Sequence, residues 1–185
     1  MENYLIKELS DISLSLFRKN FFGIYNGSIS SKIEADKFII NKKDVLFDKI
    51  NENSLIELYY TKDYRWNEAD EDADIHLQIY KRIDEAKYIT FSMPPYTTAC
   101  SLKYEEIIPK DYFGQKILSN LEIYDPGDFK TWKERAGFEI VNYLKTNKKR
   151  YIIVKGFGIY MYDRDIQKMA GVLSVIENSC RILSI

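Results

Sequence analysis

The sequence predicts an α/β domain in which strands and helices alternate along the chain. Apolar residues recur every three or four positions in several stretches, and short β-branched or aromatic runs lie between them. No internal repeat, low-complexity segment or linker interrupts this pattern, which argues for one domain over residues 1–185. With 45% hydrophobic and 30% charged residues, a chain of this length can bury a sizeable core and is too apolar to stay disordered.

Leu5, Leu9, Ile12 and Leu16 are spaced for one face of a helix over residues 3–19. Asn26-Gly27 marks a turn, and β-type runs follow at 28–33, 37–41, 45–47 and 55–60. Residues 63–73 are polar and acidic. Helical spacing returns from Asp72 to Arg82 through Ile75, Ile79 and Ile83. Tyr88 to Phe91 reads as a strand that stops at Met93-Pro94-Pro95, because proline cannot donate to a ladder. Thr97 to Leu102 reads as a short helix. Asp125-Pro126-Gly127-Asp128 is a loop in which Asp128 is suited to cap a helix. Beyond it Phe129, Trp132, Ala136, Ile140 and Leu144 trace one helical face. Tyr151 to Val154 reads as a buried strand, Gly156-Phe157-Gly158 punctuates it, and Ile159 to Tyr162 continues as strand. A last helix from about Asp165 carries Ile166, Met169, Leu173, Ile176, Cys180 and Leu183. A seam so regular either covers a sheet or meets another subunit.

Composition removes several functional classes. Lys and Arg number 27 against 28 Asp and Glu, for a net charge of −1. That balance lacks the electrostatic footprint of a nucleic-acid binder or of a protein held on anionic lipid. Two Cys and one His are too few for a disulfide scaffold or a Cys/His zinc module. Cys100 and Cys180 lie in apolar surroundings and read as small buried hydrophobes. Met1-Glu2-Asn3-Tyr4 opens with an acid and lacks the basic and apolar regions of a signal peptide. No stretch reaches the roughly 18 apolar residues that cross a bilayer. A cytoplasmic protein without membrane or nucleic-acid partners is expected.

Four segments, taken in order, carry a resemblance. They are Asn26-Gly27-Ser28-Ile29-Ser30, the run Asp72 to Tyr80 with His76 inside it, the run Ile89 to Ala99, and the strand pair from Ile152 to Tyr162. Together they resemble the class II aldolase/adducin family over residues 4–185. The corresponding family motifs are a Gly-Asn-(Ile/Val)-Ser loop and a helix opening Ser-Ser-Glu and carrying a His and a Tyr. A strand-and-loop segment with two His before a Pro and a later Thr-Ala pair comes next, then a strand pair ending His-Gly. The resemblance implies a three-layer α/β/α domain with a largely antiparallel central sheet, typically assembled as a tetramer.

It also implies a site. Catalytic members hold zinc on three His, and those positions here are Phe91, Met93 and Phe157. A phenyl ring has no lone pair to donate, and a thioether is poorly suited to zinc. A catalytic zinc needs about three nitrogen, oxygen or thiolate donors. No metal or other cofactor is therefore expected. The family's phosphate-binding places read Ser28, Lys43-Asp44 and Asp70-Glu71, and carboxylates there oppose an anion. The family's acid/base Glu aligns with Asp72, or with Glu71 if the register shifts by one.

Other residues weigh less. His76 shares a helical flank with Asp72 and Tyr80 and is read as a packed, hydrogen-bonded side chain. Lys155 is read as a solvated strand-end lysine, since nothing marks it as a buried nucleophile. The acidic run 68–74 lacks the Gly and spacing of a calcium loop and is read as a solvated helix start. Lys148-Lys149-Arg150 is read as a solvated helix end. Phe91, Met93, Tyr96 and Phe157 are read as core, with an apolar ligand pocket as the alternative. The expectation is a metal-free, homo-oligomeric scaffold or interaction protein with an unknown protein partner, a pseudoenzyme of the aldolase type as the adducin head domain is. The alternative is a divergent carbon–carbon lyase using Asp72 or Glu71, and Tyr96, in a remodelled cleft.

Overall fold

A computed structural model describes residues 3–185; Met1 and Glu2 of the N-terminal reading lie outside the described residues. The helices are α1 (Asn3–Arg18), α2 (Ala73–Arg82), α3 (Pro95–Lys103), α4 (Tyr112–Ile117), α5 (Trp132–Thr146) and α6 (Ile166–Leu183). The strands are β1 (Ser28–Glu34), β2 (Lys37–Asn41), β3 (Leu55–Tyr59), β4 (Tyr88–Ser92), β5 (Glu106–Ile107), β6 (Leu121–Tyr124), β7 (Tyr151–Val154) and β8 (Gly158–Asp163). They form one sheet in the order β3-β2-β1-β4-β8-β7-β6-β5. Every neighbouring pair is antiparallel except β6 and β7, which run parallel.

Each sheet face is covered. Leu9, Ile12 and Leu16 of α1 and Met169, Leu173 and Ile176 of α6 pack on one face, against Ile29, Ile39, Ile159 and Met161. Ile75 and Ile79 of α2 and Trp132, Ala136 and Ile140 of α5 pack on the other, against Phe38, Ile40, Ile89, Phe91 and Tyr160. The result is the three-layer α/β/α arrangement with a largely antiparallel sheet. Side chains alternate between faces along each strand, so Ile159 and Met161 point one way and Tyr160 and Tyr162 the other. With helices on both faces, both sets are apolar. The strands therefore read as nearly continuous hydrophobic runs rather than alternating ones.

Caps set the helix starts. The Asp165 carboxylate accepts from the N–H groups of Gln167 and Lys168 at the start of α6. Asp128 accepts from Lys130 N–H in a single 3₁₀ turn, Phe129–Thr131, that delays α5 to Trp132. Phe129, expected on the buried helical face, thus precedes the helix and is half exposed. Pro95 stands in the first turn of α3, where its missing N–H leaves no bond unmade.

Two departures from expectation have local causes. The run 45–47 is not a strand, because β2 already pairs with β1 and β3 and Asp44 turns the chain through φ +57°. Phe47 begins a 3₁₀ turn and buries its ring 4.3 Å from that of Phe22. The segment holding β5, α4 and β6 carries no periodic signal, since its elements are two to six residues long. The last helix covers the sheet, as one reading of its seam required. No described helix is long and apolar enough to cross a membrane.

Candidate functional site

Five separate segments meet at one end of the sheet around an open cleft of about 560 Å³. The turn before β1 contributes Tyr25, Asn26 and Gly27, and the residues after β2 contribute Lys43 and Asp44. Asp70, Glu71 and Asp72 lead into α2, Phe91 and Met93 end β4, and Phe157 sits in the β7–β8 turn. The sheet order puts β1 beside β4 and β4 beside β8, which is why residues so far apart in sequence share the cleft.

Asn41 ties the acidic segment down. It accepts from Ile29 N–H through Oδ1 at 2.8 Å and donates through Nδ2 to Asp70 Oδ2 at 3.2 Å. Asp70 N–H in turn donates to the Asn41 carbonyl at 3.1 Å. Asp72 stands at the start of α2, yet its carboxylate accepts no helix N–H. It turns inward instead, accepting from Tyr160 Oη at 3.0 Å and from Ser28 Oγ at 3.1 Å.

The run 68–74 is only partly the solvated helix start expected: Glu68, Glu71 and Asp74 are exposed, while Asp70 and Asp72 turn inward. Burial pushes the Asp72 carboxyl up to about 6, against the lowering effect of its Tyr160 and Ser28 hydrogen bonds. A helix N-terminus favours an anion by about 0.3–1 kcal/mol. A rise of this size opposes ionisation by roughly 3 kcal/mol, so burial wins. Asp70 is pushed up to about 7, first by burial and then by the Asp72 charge. Glu71 differs from both: it is exposed, pairs with Lys133 at 2.8 Å, and that partner holds its carboxyl below the usual range. Formal charge overstates the anion repulsion expected here, because Asp70 and Asp72 take up protons near neutral pH.

Behind Asp72 lies a buried polar row. His76 is fully buried, with Nε2 at 2.9 Å from Ser28 Oγ and Nδ1 at 2.6 Å from Ser30 Oγ. Ser30 Oγ meets Tyr80 Oη at 2.7 Å. Burial lowers the imidazole to about 3, so the ring is neutral. The packed, hydrogen-bonded reading of His76 holds, with two serines as its partners. Ser28, expected at an anion site, lies beneath Asp72 instead of on the cleft wall.

The opposite wall is aromatic. The Phe91 ring stacks on Phe157 at 4.9 Å and on Tyr160 at 4.6 Å, and Trp132 meets Phe157 edge-on at 6.4 Å. Gly158 permits this. A Cβ at its φ of +156° would lie 2.5 Å from the Ser92 carbonyl oxygen and 2.7 Å from the Phe91 ring. Tyr96 is not part of the cleft; its backbone N–H donates to Glu177 on the α6 side of the sheet, and its ring is exposed there. Lys155 pairs with Asp125 at 3.0 Å on the surface, as a strand-end lysine does.

The zinc implied by the resemblance does not fit these residues. Among the described residues no three His, Cys, Asp or Glu side chains converge as metal donors. Both nitrogens of the one imidazole are engaged by serines. Phe91 and Phe157 carry rings without donor atoms.

Sequence reading missed Tyr160, Ser30 and Asn41. Ser28 and Ser30 are two apart on one strand and so face the same way, a signal available before the fold was known. Nothing in the sequence brings Tyr160 to Asp72, 88 positions away.

Fold and cleft define an aldolase-type three-layer α/β/α domain. The sequence profile of the Class II Aldolase and Adducin N-terminal domain matches residues 7–184, and the chain belongs to that family. The L-fuculose-1-phosphate aldolase of Thermus thermophilus superposes with a TM-score of 0.85 at 19% identity, over 97% of this chain and 92% of that one. A sugar-phosphate aldolase from Thermotoga maritima gives 0.72 at 15% identity, over 97% and 93%. YgbL of Klebsiella pneumoniae, a putative aldolase/epimerase/decarboxylase, gives 0.78 at 14% identity, over 98% and 89%. At such identities the likeness is one of fold. A search of curated proteins returned no match.

Proposed function

We propose that this chain is a metal-free member of the family that does not carry out zinc-dependent aldol cleavage and serves as a homo-oligomeric scaffold or interaction protein. The observation that supports this is the Phe91–Phe157–Tyr160 stack. The rings of Phe91 and Phe157, in van der Waals contact, occupy two of the three places where the resemblance puts metal ligands, and such apolar packing supports a site without a metal. Elemental analysis of untagged protein, purified without chelator, tests the reading. Zinc, manganese, iron and calcium are each expected far below one per chain, with no turnover of sugar phosphates. One stoichiometric metal per chain overturns it. Light scattering tests the homo-oligomer.

A second reading is favoured by Asp72. A carboxyl raised to about 6 at an open cleft is suited to exchange a proton near neutral pH. In this reading the protein is a divergent, metal-independent lyase-type enzyme whose acid/base group is Asp72. Glu71 is held ionised by Lys133 and is the poorer candidate. With the carboxylates of Asp44 and Glu71 on the cleft, the substrate is neutral or cationic. A ligand that raises Tm in the native protein and fails with Asp72→Asn supports this reading over the first.

A further inference from the structure

From Asp72 a continuous line of hydrogen bonds runs through Ser28, His76, Ser30 and Tyr80 to the Lys87 carbonyl, at 3.1, 2.9, 2.6, 2.7 and 3.4 Å. It follows α2 for eight residues, on the order of 12 Å. Ser28, His76, Ser30 and Tyr80 are buried behind the half-buried Asp72, and each hydroxyl has a single proton to give.

That single-proton rule fixes the direction of the line. An ionised Asp72 can only accept, so Ser28 gives its proton to Oδ2 and must itself accept from His76. The imidazole then carries its proton on Nε2. Its Nδ1 accepts from Ser30, and Ser30 accepts from Tyr80. When Asp72 is protonated toward Ser28, the same row can run the other way. Ser28 donates to Nε2, Nδ1–H donates to Ser30, Ser30 donates to Tyr80, and Tyr80 donates to the Lys87 carbonyl. Without reversal, the new carboxylic O–H would face the Ser28 O–H, donor against donor in a buried place.

We propose that His76 is a tautomer switch: its proton sits on Nε2 when Asp72 is ionised and on Nδ1 when Asp72 is protonated, with Ser28 and Tyr80 as the positioning residues that couple the two. The switch lets a cleft carboxyl gain or lose a proton while every buried group in the row stays paired. It stands on the hydrogen-bond geometry and holds whichever reading of function is right.

Other groups facing Asp72 do not supply the coupling. Tyr160 of β8 holds the other carboxylate oxygen, and its own hydroxyl is raised well above its ordinary value by burial. Asp70 and Glu71 precede α2 and raise or share the local negative charge. Lys133 of α5 is engaged by Glu71 at the surface, and Lys43 lines the cleft and acts on Glu71. None of them touches the imidazole, whose nitrogens meet only serines.

The chain has one His, so the test needs no assignment. Long-range proton–nitrogen correlation spectra of tag-free, nitrogen-labelled protein distinguish the two neutral tautomers from imidazolium. Between about pH 8 and pH 5 the ratio is expected to invert from Nε2–H to Nδ1–H, roughly tenfold or more, as when one tautomer leaves a buried donor unpaired. The ring stays neutral throughout. The inversion should track the Asp72 carboxyl carbon shift. Tyr80→Phe removes the terminal acceptor for Ser30 and is expected to lock the ring as Nε2–H at every pH. Ser28→Ala is expected to make the ratio indifferent to pH, and Ser28→Thr to restore its dependence. The native titration decides the matter even if a variant fails to fold. An unchanged ratio across the Asp72 titration, or a ring that becomes imidazolium, overturns the proposal.

Discussion

On one side of the cleft Asp72 is held from behind by Ser28 and Tyr160, and Ser28 in turn meets His76; on the opposite side Phe91 and Phe157 meet ring to ring. The two sides answer to different physics. The polar wall is stable only while each donor has an acceptor, so one lost atom leaves another unpaired. The aromatic wall tolerates any filling of the right volume, and its weak point is a cavity or an overlap.

The largest effect should come from emptying the aromatic wall. Phe91→Ala removes a buried ring stacked on two others and is expected to destabilise the fold by roughly 3–5 kcal/mol in denaturant unfolding. A loss under about 1 kcal/mol would mean the wall is loosely packed, and the contrast between the walls would fail. Gly158→Ala forces a Cβ against the Ser92 carbonyl and the Phe91 ring, and should cost about 2–3 kcal/mol without removing any contact.

The polar wall should instead reveal itself through pH. Asp72 and Asp70 have folded values raised above their unfolded ones, so the stability they contribute is present below about pH 4 and is lost as pH rises toward 6 to 7. His76 is depressed to about 3, so its contribution is lost as pH falls from about 6.5 toward 3. The two carboxyl slopes outweigh the single opposing imidazole slope, so the native protein should lose about 1.4 kcal/mol per pH unit between about pH 4 and 6. Asp72→Asn removes one of the carboxyl slopes. Its stability relative to the native protein should rise by about 3 kcal/mol from pH 4 to pH 7, read from urea midpoints. A pH-independent difference would show that Asp72 is not buried as described.

The smallest effect belongs to the cleft rim. Glu71→Gln breaks an exposed pair with Lys133 and should change stability by less than about 0.5 kcal/mol, less still in high salt. A larger change would place Glu71 with the buried carboxylates and against the division drawn between them.

Legibility in the sequence followed the length of the signal. The 18-residue α6 and the 16-residue α1 each repeat their apolar spacing over several turns, so both were visible from their spacing alone. The two-residue β5 and the six-residue α4 hold less than two helical turns or one strand alternation, and no pattern could mark them. In the site, motif order was enough to suggest Phe91, Met93 and Phe157 as neighbours, and all three line the cleft. Tyr96 sits three positions beyond Met93 and was grouped with them, but α3 begins at Pro95 and carries it to the other side of the sheet. The acidic run looked solvated because seven residues in a row gave no hint of which would turn inward.

Residue chemistry and spacing alone determined the α/β class, the long helices, and the placing of Asp72, His76 and Tyr80 along one flank of a helix; the resemblance added that positions 91, 93 and 157, where the family has zinc ligands, carry two phenyl rings and a thioether. These are properties of atoms and of local periodicity, which each residue carries wherever it lies. Only the tertiary structure decided that Asp72 is desolvated while Glu71 beside it is not, and that Ser28 and Tyr160 reach it from strands 44 and 88 positions away. Burial and long-range hydrogen bonds arise when separate segments exclude water together, and no single segment contains that information.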